Sequence, residues 1–183
     1  MKSPIQLSHD FLAEILTNQS IALDATMGNG YDTLFLAKYA KKVYAFDIQE
    51  IALKTTKEKL TASGAQNVHL ILDSHENIDN YLSEINLAIF NLGYLPKADK
   101  TIITKPDSTI LALKKTLHLL KVGGRVSIMV YYGHDGGQLE KDALEHFLKN
   151  LSQEQYTVMR YQPVNQVNHP PFLIMIEKRR MSS

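Results

Sequence analysis

The stretch LDATMGNGYDT, residues 23–33, decides how this chain folds. A β-type run, SIALDA (20–25), leads into it, and a helical candidate near 31–40 leaves it. Between them stand Gly28 and Gly30, where missing side chains let the backbone turn tightly and a ligand approach closely. A dinucleotide-binding turn would carry a third glycine at position 33. Thr33 stands there instead, so the G-x-G-x-x-G fingerprint is incomplete. A purely structural turn uses the same glycines, and the motif gains meaning only from its surroundings.

Working outward, short β-type runs alternate with helix-type runs, the pattern of a parallel sheet covered on both faces. After the first strand come KVYAFD (42–47), VHLILD (68–73), NLAIFN (86–91) and RVSIMVYY (125–132). Helices are expected at 31–40, 50–63, 76–83, 106–121 and 136–150. In the fourth of these, Pro106 sits near the start and Gly123 and Gly124 follow the end. Two last runs, YTVMRYQ and FLIMIEK, are joined by PVNQVNHPP. That connection is short for a crossover helix, so the pair reads as an antiparallel hairpin. Before the first strand, residues 8–17 read as one more helix, with Ser8 as its cap. The expected fold class is α/β, with a seven-stranded, mostly parallel sheet in a single domain, 1–183, whose first 19 residues form a helical extension.

Polar residues close the strands. Asp47 ends the second strand 17 residues after Gly30, placed to accept hydrogen bonds from ribose hydroxyls; nicotinamide and adenosyl cofactors both use that arrangement. As a helix N-cap before residue 50, Asp47 would occupy the same position. Asp24, ahead of the glycine turn, would repel a pyrophosphate and attract a methionine ammonium group. Asp73, Ser74 and His75 end the third strand where polar groups meet an adenine edge, and Asn91 ends the fourth. In an open α/β sheet all of these converge on one crevice beyond the carboxyl ends of the strands.

Composition narrows the field. A hydrophobic fraction of 44% and a charged fraction of 21% belong to an ordinary globular chain, and the absence of cysteine excludes disulfides, thiol catalysis and cysteine-ligated metals. No run resembles a signal peptide or a membrane span, which reads as a cytoplasmic protein. Net charge is +1, so any nucleic-acid contact depends on local clusters: Lys97, Lys100 and Lys105, then Lys114, Lys115, Lys121 and Arg125, then Lys178, Arg179 and Arg180.

The ordered set of acid, glycine turn, acid, polar pair and Asn resembles the class I S-adenosylmethionine-dependent methyltransferases, whose Rossmann-like fold has seven strands and a terminal hairpin. More narrowly, DATMGNGYDTLFLA, NLGYLP, HDGG and NQVNHPPFLIMIEK resemble a small bacterial family once labelled ribosomal RNA methylases. That family is associated with methylating the 5-aminomethyl group of the wobble 2-thiouridine in transfer RNA. The resemblance implies S-adenosylmethionine as cofactor and the tRNA anticodon region as partner. It assigns Asp24, Met27, Gly28, Asn29, Gly30, Asp32 and Thr33 to the methionine part of the cofactor. Asp47, Ile48 and Gln49 go to ribose and adenine, Asp73, Ser74 and His75 to the adenine side, and Asn91 to the reaction centre.

Asn91, Tyr94 and His169 are the expected catalytic residues. An Asn oxygen accepts from an amine N–H and aims the nitrogen lone pair, and Tyr94 stacks on a base. Related amine-methylating loops read Asn-Pro-Pro-Tyr; Leu92 and Gly93 replace the prolines here, which leaves room for a different amine. Leu92, Gly93, Tyr94, Pro96, Lys97, Lys100, Tyr132, His134, Asn168 and His169 are expected around the substrate. His169 and His134 are the candidate bases, with Asp135 to orient either, and no metal is needed. His9 and Phe11 of the first helix lie over the cofactor or simply pack, the second reading being preferred. A homodimer would widen the RNA surface, although no residue marks one. Methylation of ribosomal RNA or a small amine is the nearest alternative, and a non-catalytic Rossmann-like nucleotide-binding protein is the alternative of another class.

Overall fold

The computed structural model describes residues 1–93 and 106–180. The elements in chain order are α1 (Pro4–Ala13), β1 (Ile21–Asp24), α2 (Tyr31–Tyr39), β2 (Lys42–Asp47), α3 (Glu50–Ser63), β3 (Val68–Leu72), a 3-10 helix (His75–Asn80), β4 (Ile85–Leu92), α4 (Pro106–Leu119), β5 (Leu120–Val130), α5 (Gly137–Lys149), β6 (Tyr156–Tyr161) and β7 (Phe172–Lys178). The strands form one sheet in the order β3-β2-β1-β4-β5-β7-β6. Its first five strands are parallel, and β7 runs antiparallel to both β5 and β6, as the short connection requires. The chain leaves β3 at one edge and returns beside β1 as β4. That reversal opens a crevice at the carboxyl ends of β1 and β4.

Burial on both faces explains why the central strands read as continuous apolar runs. In β4, Leu87 and Ile89 pack with Leu12 and Leu36 on the α1/α2 face, while Ala88, Phe90 and Leu92 pack with Leu113 and Leu144 on the other. The alternation is the period of two imposed by the pleat.

Three sequence expectations change. The first helix starts at Pro4, not near residue 8: the Ser3 side chain accepts from Gln6 N and the Gln6 side chain accepts from Ser3 N, a reciprocal cap, and Pro4 needs no N–H partner there. Ser8 is therefore inside the helix, buried, with its hydroxyl 2.5 Å from that of Ser127. The segment expected as a helix at 76–83 is a short 3-10 turn capped by Ser74, whose side chain accepts from Glu76 N. Finally, β5 begins at Leu120, which pairs with Ile85, and the ladder resumes at Leu87 with Arg125. Residues 121–124 bulge opposite Asn86, so the two glycines shape a kink within the strand region rather than a loop before it.

Candidate functional site

The glycine turn is fixed from below. Ala25 N donates to Ile89 O and Met27 N to Phe46 O at 2.9 and 2.8 Å, tying the turn to both neighbouring strands. Gly28 and Gly30 have φ of 50° and 79°, in the left-handed region. A Cβ on Gly30 would lie 2.7 Å from Thr56 Oγ1, so backbone must approach α3 where no side chain fits.

Asp47, at the end of β2, accepts from Gly28 N and Gln49 N, each at 3.0 Å, one on each carboxylate oxygen. Burial raises its pKa above the ordinary carboxylate value. Asp73 at the end of β3 accepts from Ser74 N, Asn77 Nδ2 and Tyr81 Oη, and the Asn77 bond leads in holding its pKa down. His75 is buried, with Nδ1 3.2 Å from Ala25 O. A carbonyl only accepts, so Nδ1 carries the hydrogen; burial lowers the ring's pKa and leaves Nε2 as an acceptor.

The end of β4 carries the most directional feature. Asn91 N donates to Thr26 Oγ1 at 2.7 Å, and Asn91 Nδ2 donates to Asp32 Oδ2 at 2.7 Å. Because a carboxylate only accepts, the amide is oriented with its nitrogen toward Asp32. Oδ1 takes no hydrogen bond among the described residues and is the end left to accept from a ligand. The backbone then turns at Gly93, φ 148°, where a Cβ would lie 3.1 Å from Tyr131 Cβ. Across the mouth, Gly133 leaves space against which His169 packs, since a Cβ there would be 3.3 Å from His169 Cβ.

These residues line one cavity of about 1080 Å³, large for a small-molecule site. It brings together Met27, Gly28, Asn29, Gly30 and Asp32 from the first turn, and Asp47, Ile48 and Gln49 from the second. Asp73, Ser74 and His75 join them from the third, with Asn91, Leu92, Gly93, His134 and His169 on the remaining side. Four expected residues stand off the wall. Asp24 and Thr33 lie fully buried beneath the turn, the Thr33 hydroxyl donating to Asp24 Oδ2 at 2.6 Å. Tyr132 backs His169 edge-on at 5.2 Å, and Asn168 turns the exposed connection with φ 68°. Tyr94, Pro96, Lys97, Lys100 and Lys105 lie outside the described residues. Of the other basic residues, Lys115 pairs with Asp79, Lys121 with Glu84, and Arg125 with Glu14 and Glu177, so their charge is spent within the fold.

Tyr131 and Gly133, which follow the fifth strand and are expected at the same mouth, line the cavity as well; Ile5, Thr26 and Tyr31 line it without being expected there, and so does His9, for which plain packing is the preferred sequence reading. The signal for two of these was helix phase: with the helix starting at Pro4, Ile5 and His9 are four apart and share a face.

Asp24 has a consequence for stability. Burial, with a further contribution from the Asp32 carboxylate, pushes its pKa up to about 7. The folded chain then keeps a proton that the unfolded chain releases near 3.8, so this part of the stability is full below 3.8 and is lost as pH rises toward 7. The loss is at most about 4 kcal/mol. Asp24→Asn preserves the shape, accepting from Thr26 N and donating to the Thr33 hydroxyl. Its unfolding free energy is expected to fall less than that of the wild type between pH 5 and 8, and parallel denaturation profiles would refute this.

Comparison with known proteins places the chain among methyltransferases. The family described as "Putative rRNA methylase" matches residues 43–177. The chain is 32% identical to "tRNA (mnm(5)s(2)U34)-methyltransferase, chloroplastic" of Arabidopsis thaliana, over 97% of this chain and 70% of that protein. It superposes with a TM-score of 0.93, at 59% identity, on the crystal structure of "a putative methyltransferase" from Streptococcus mutans in complex with SAH, covering 97% of this chain and 99% of that one. With the crystal structure of a "putative rRNA-methylase" from Clostridium thermocellum the TM-score is 0.94 at 41% identity, covering 97% of this chain and 98% of that one.

Proposed function

The chain belongs to the rRNA methylase family of S-adenosylmethionine-dependent methyltransferases, and from that premise we propose that it methylates the amine of 5-aminomethyl-2-thiouridine at the wobble position of tRNA, giving 5-methylaminomethyl-2-thiouridine. The residues present suit the cofactor. The left-handed glycines open a close approach for its methionine part, and the free lone pairs of Asp47 suit a ribose diol. When bound, S-adenosylmethionine supplies an activated methyl group that needs no metal.

The observation that carries the reading is the orientation of Asn91. With Nδ2 committed to Asp32, Oδ1 accepts an amine N–H and directs the nitrogen lone pair toward the methyl donor. A ring carbon of a base offers no such hydrogen, whereas a neutral aminomethyl group offers two. The cavity wall suits a cationic amine as well: Asp32, Asp47, Asp73, Glu76 and Asp107 line it, and no Lys or Arg does among the described residues. An alkyl amine with a pKa near that of Lys is neutral in only about one molecule per thousand at pH 7, a deficit of roughly 4 kcal/mol. The site therefore has to remove a proton before attack. His169 and His134 border the same cavity as Asn91 and are the proton acceptors we assign to that task. The name of the Arabidopsis relative supports the choice of nucleoside.

The test is transfer from labelled S-adenosylmethionine to bulk tRNA from a strain lacking this protein, followed by nucleoside mass analysis. A gain of one methyl on 5-aminomethyl-2-thiouridine is expected. Cofactor binding without transfer to tRNA, together with transfer to ribosomal RNA or a small amine, would overturn the proposed substrate.

A further inference from the structure

His9 is the side chain through which α1 meets the reaction centre. Its ring lies flat on Phe35 of α2, with centroids 4.0 Å apart and planes inclined by 2°. Nε2 is 2.6 Å from Asp32 Oδ1 and, facing a carboxylate, carries the hydrogen. The second oxygen of Asp32 accepts from Asn91 Nδ2 at 2.7 Å. One carboxylate thus spans from the first helix to the end of β4, with a donor on each oxygen. Turned about its own bond, Asp32 would lose both partners at once, and an Asn91 amide released from it would present NH2 to the cavity as readily as oxygen. An NH2 group cannot accept from a substrate amine.

We propose that His9 is a positioning residue of the methyl-transfer site: by holding Asp32 Oδ1 it fixes the carboxylate plane, and through Asp32 it keeps Asn91 Oδ1 turned toward the substrate nitrogen. This rests on the role given to Asn91 above. The helix itself is held by other contacts. Leu12 is fully buried, the Ser8 and Ser127 hydroxyls meet, and Arg125 Nη1 donates to Phe11 O and Glu14 Oε2, both at 2.6 Å. Removing the imidazole therefore breaks the link to Asp32 without undocking α1.

The experiment compares the full chain with His9→Ala and with His9→Gln, which keeps an N–H donor, by two readouts. In the first, the Asn91 side-chain amide signal in a ¹⁵N–¹H spectrum is identified by its disappearance in Asn91→Ala. It is expected to shift and to lose protection from hydrogen exchange in His9→Ala, and to stay near its wild-type position in His9→Gln. In the second, steady-state methyl transfer, His9→Ala is expected to lower kcat on the order of tenfold to a hundredfold with the cofactor KM within about twofold. His9→Gln is expected to recover most of that loss. An unmoved Asn91 amide in His9→Ala, an unchanged kcat, or a glutamine variant no better than alanine would overturn the proposal. A wild-type chain inactive on tRNA would overturn the proposed substrate instead, while the amide spectrum would still decide the role of His9.

Discussion

Asn91→Ala is expected to lower methyl-transfer turnover on the order of 10²- to 10³-fold, with cofactor affinity changed by less than about tenfold. The asymmetry follows from how the residue is held. Its backbone N–H donates to Thr26 Oγ1, and β4 continues its parallel pairing with β5 through Asn91 and Met129; neither contact uses the side chain. The polypeptide around the reaction centre should keep its course. What disappears is the single oriented acceptor, Oδ1, and with it the alignment of the amine lone pair. An interaction that matters mainly in the transition state appears in kcat and in kcat/KM equally. Asn91→Asp sharpens the test, because the same shape then sets a second carboxylate 2.7 Å from Asp32 Oδ2, and both cannot be ionised at that distance. It too should be severely impaired. Single-turnover rates beside equilibrium cofactor titration would check both variants, and turnover near the wild-type level in Asn91→Ala would remove Asn91 from the chemistry.

The parts of the fold that were legible in the sequence are those in which local pattern and tertiary role coincide. INLAIFNL reads as a doubly covered strand because both of its faces are buried, and the polar residues beyond β1, β2, β3 and β4 point to a crevice because a parallel sheet gathers its carboxyl ends on one side. The direction of a side chain inside a turn is another matter. Asp24 and Thr33 belong to the right segment, yet the packing beneath two left-handed glycines turns them away from the cavity toward each other. The first helix shows how a small error propagates. Taking Ser8 as its cap, in place of Ser3, hides the face that carries Ile5 and His9. The basic residues show the limit of composition: Lys115, Lys121 and Arg125 look available for RNA until partners distant in sequence, Asp79, Glu84, Glu14 and Glu177, are seen beside them.

For cofactor affinity the largest loss is expected at Asp47, where Asp47→Ala should weaken S-adenosylmethionine binding on the order of 10²- to 10⁴-fold. Two hydrogen bonds from ribose hydroxyls to a carboxylate account for that range, at about 1.5–3 kcal/mol each, less what water returns. The carboxylate has a second task, because its two oxygens already accept Gly28 N and Gln49 N. Without it the glycine turn loses its tether to the end of β2, and the close approach built by Gly28 loosens with it. Asp47→Asn separates charge from shape. Its amide nitrogen must face one of the two backbone N–H groups, leaving a donor against a donor, so the asparagine variant should bind nearly as poorly as alanine. The pH dependence carries the same signature. Burial raises the Asp47 pKa above 3.8, and a cationic cofactor favours the ionised form, so affinity should fall on acidification along a limb that begins above the ordinary carboxylate range. That limb should shrink in Asp47→Asn. Calorimetric titration across pH would read both effects, and an Asp47→Ala chain that binds within about tenfold of the wild type would shift the ribose to another acid, with Asp73, at the end of the neighbouring strand, the first to test.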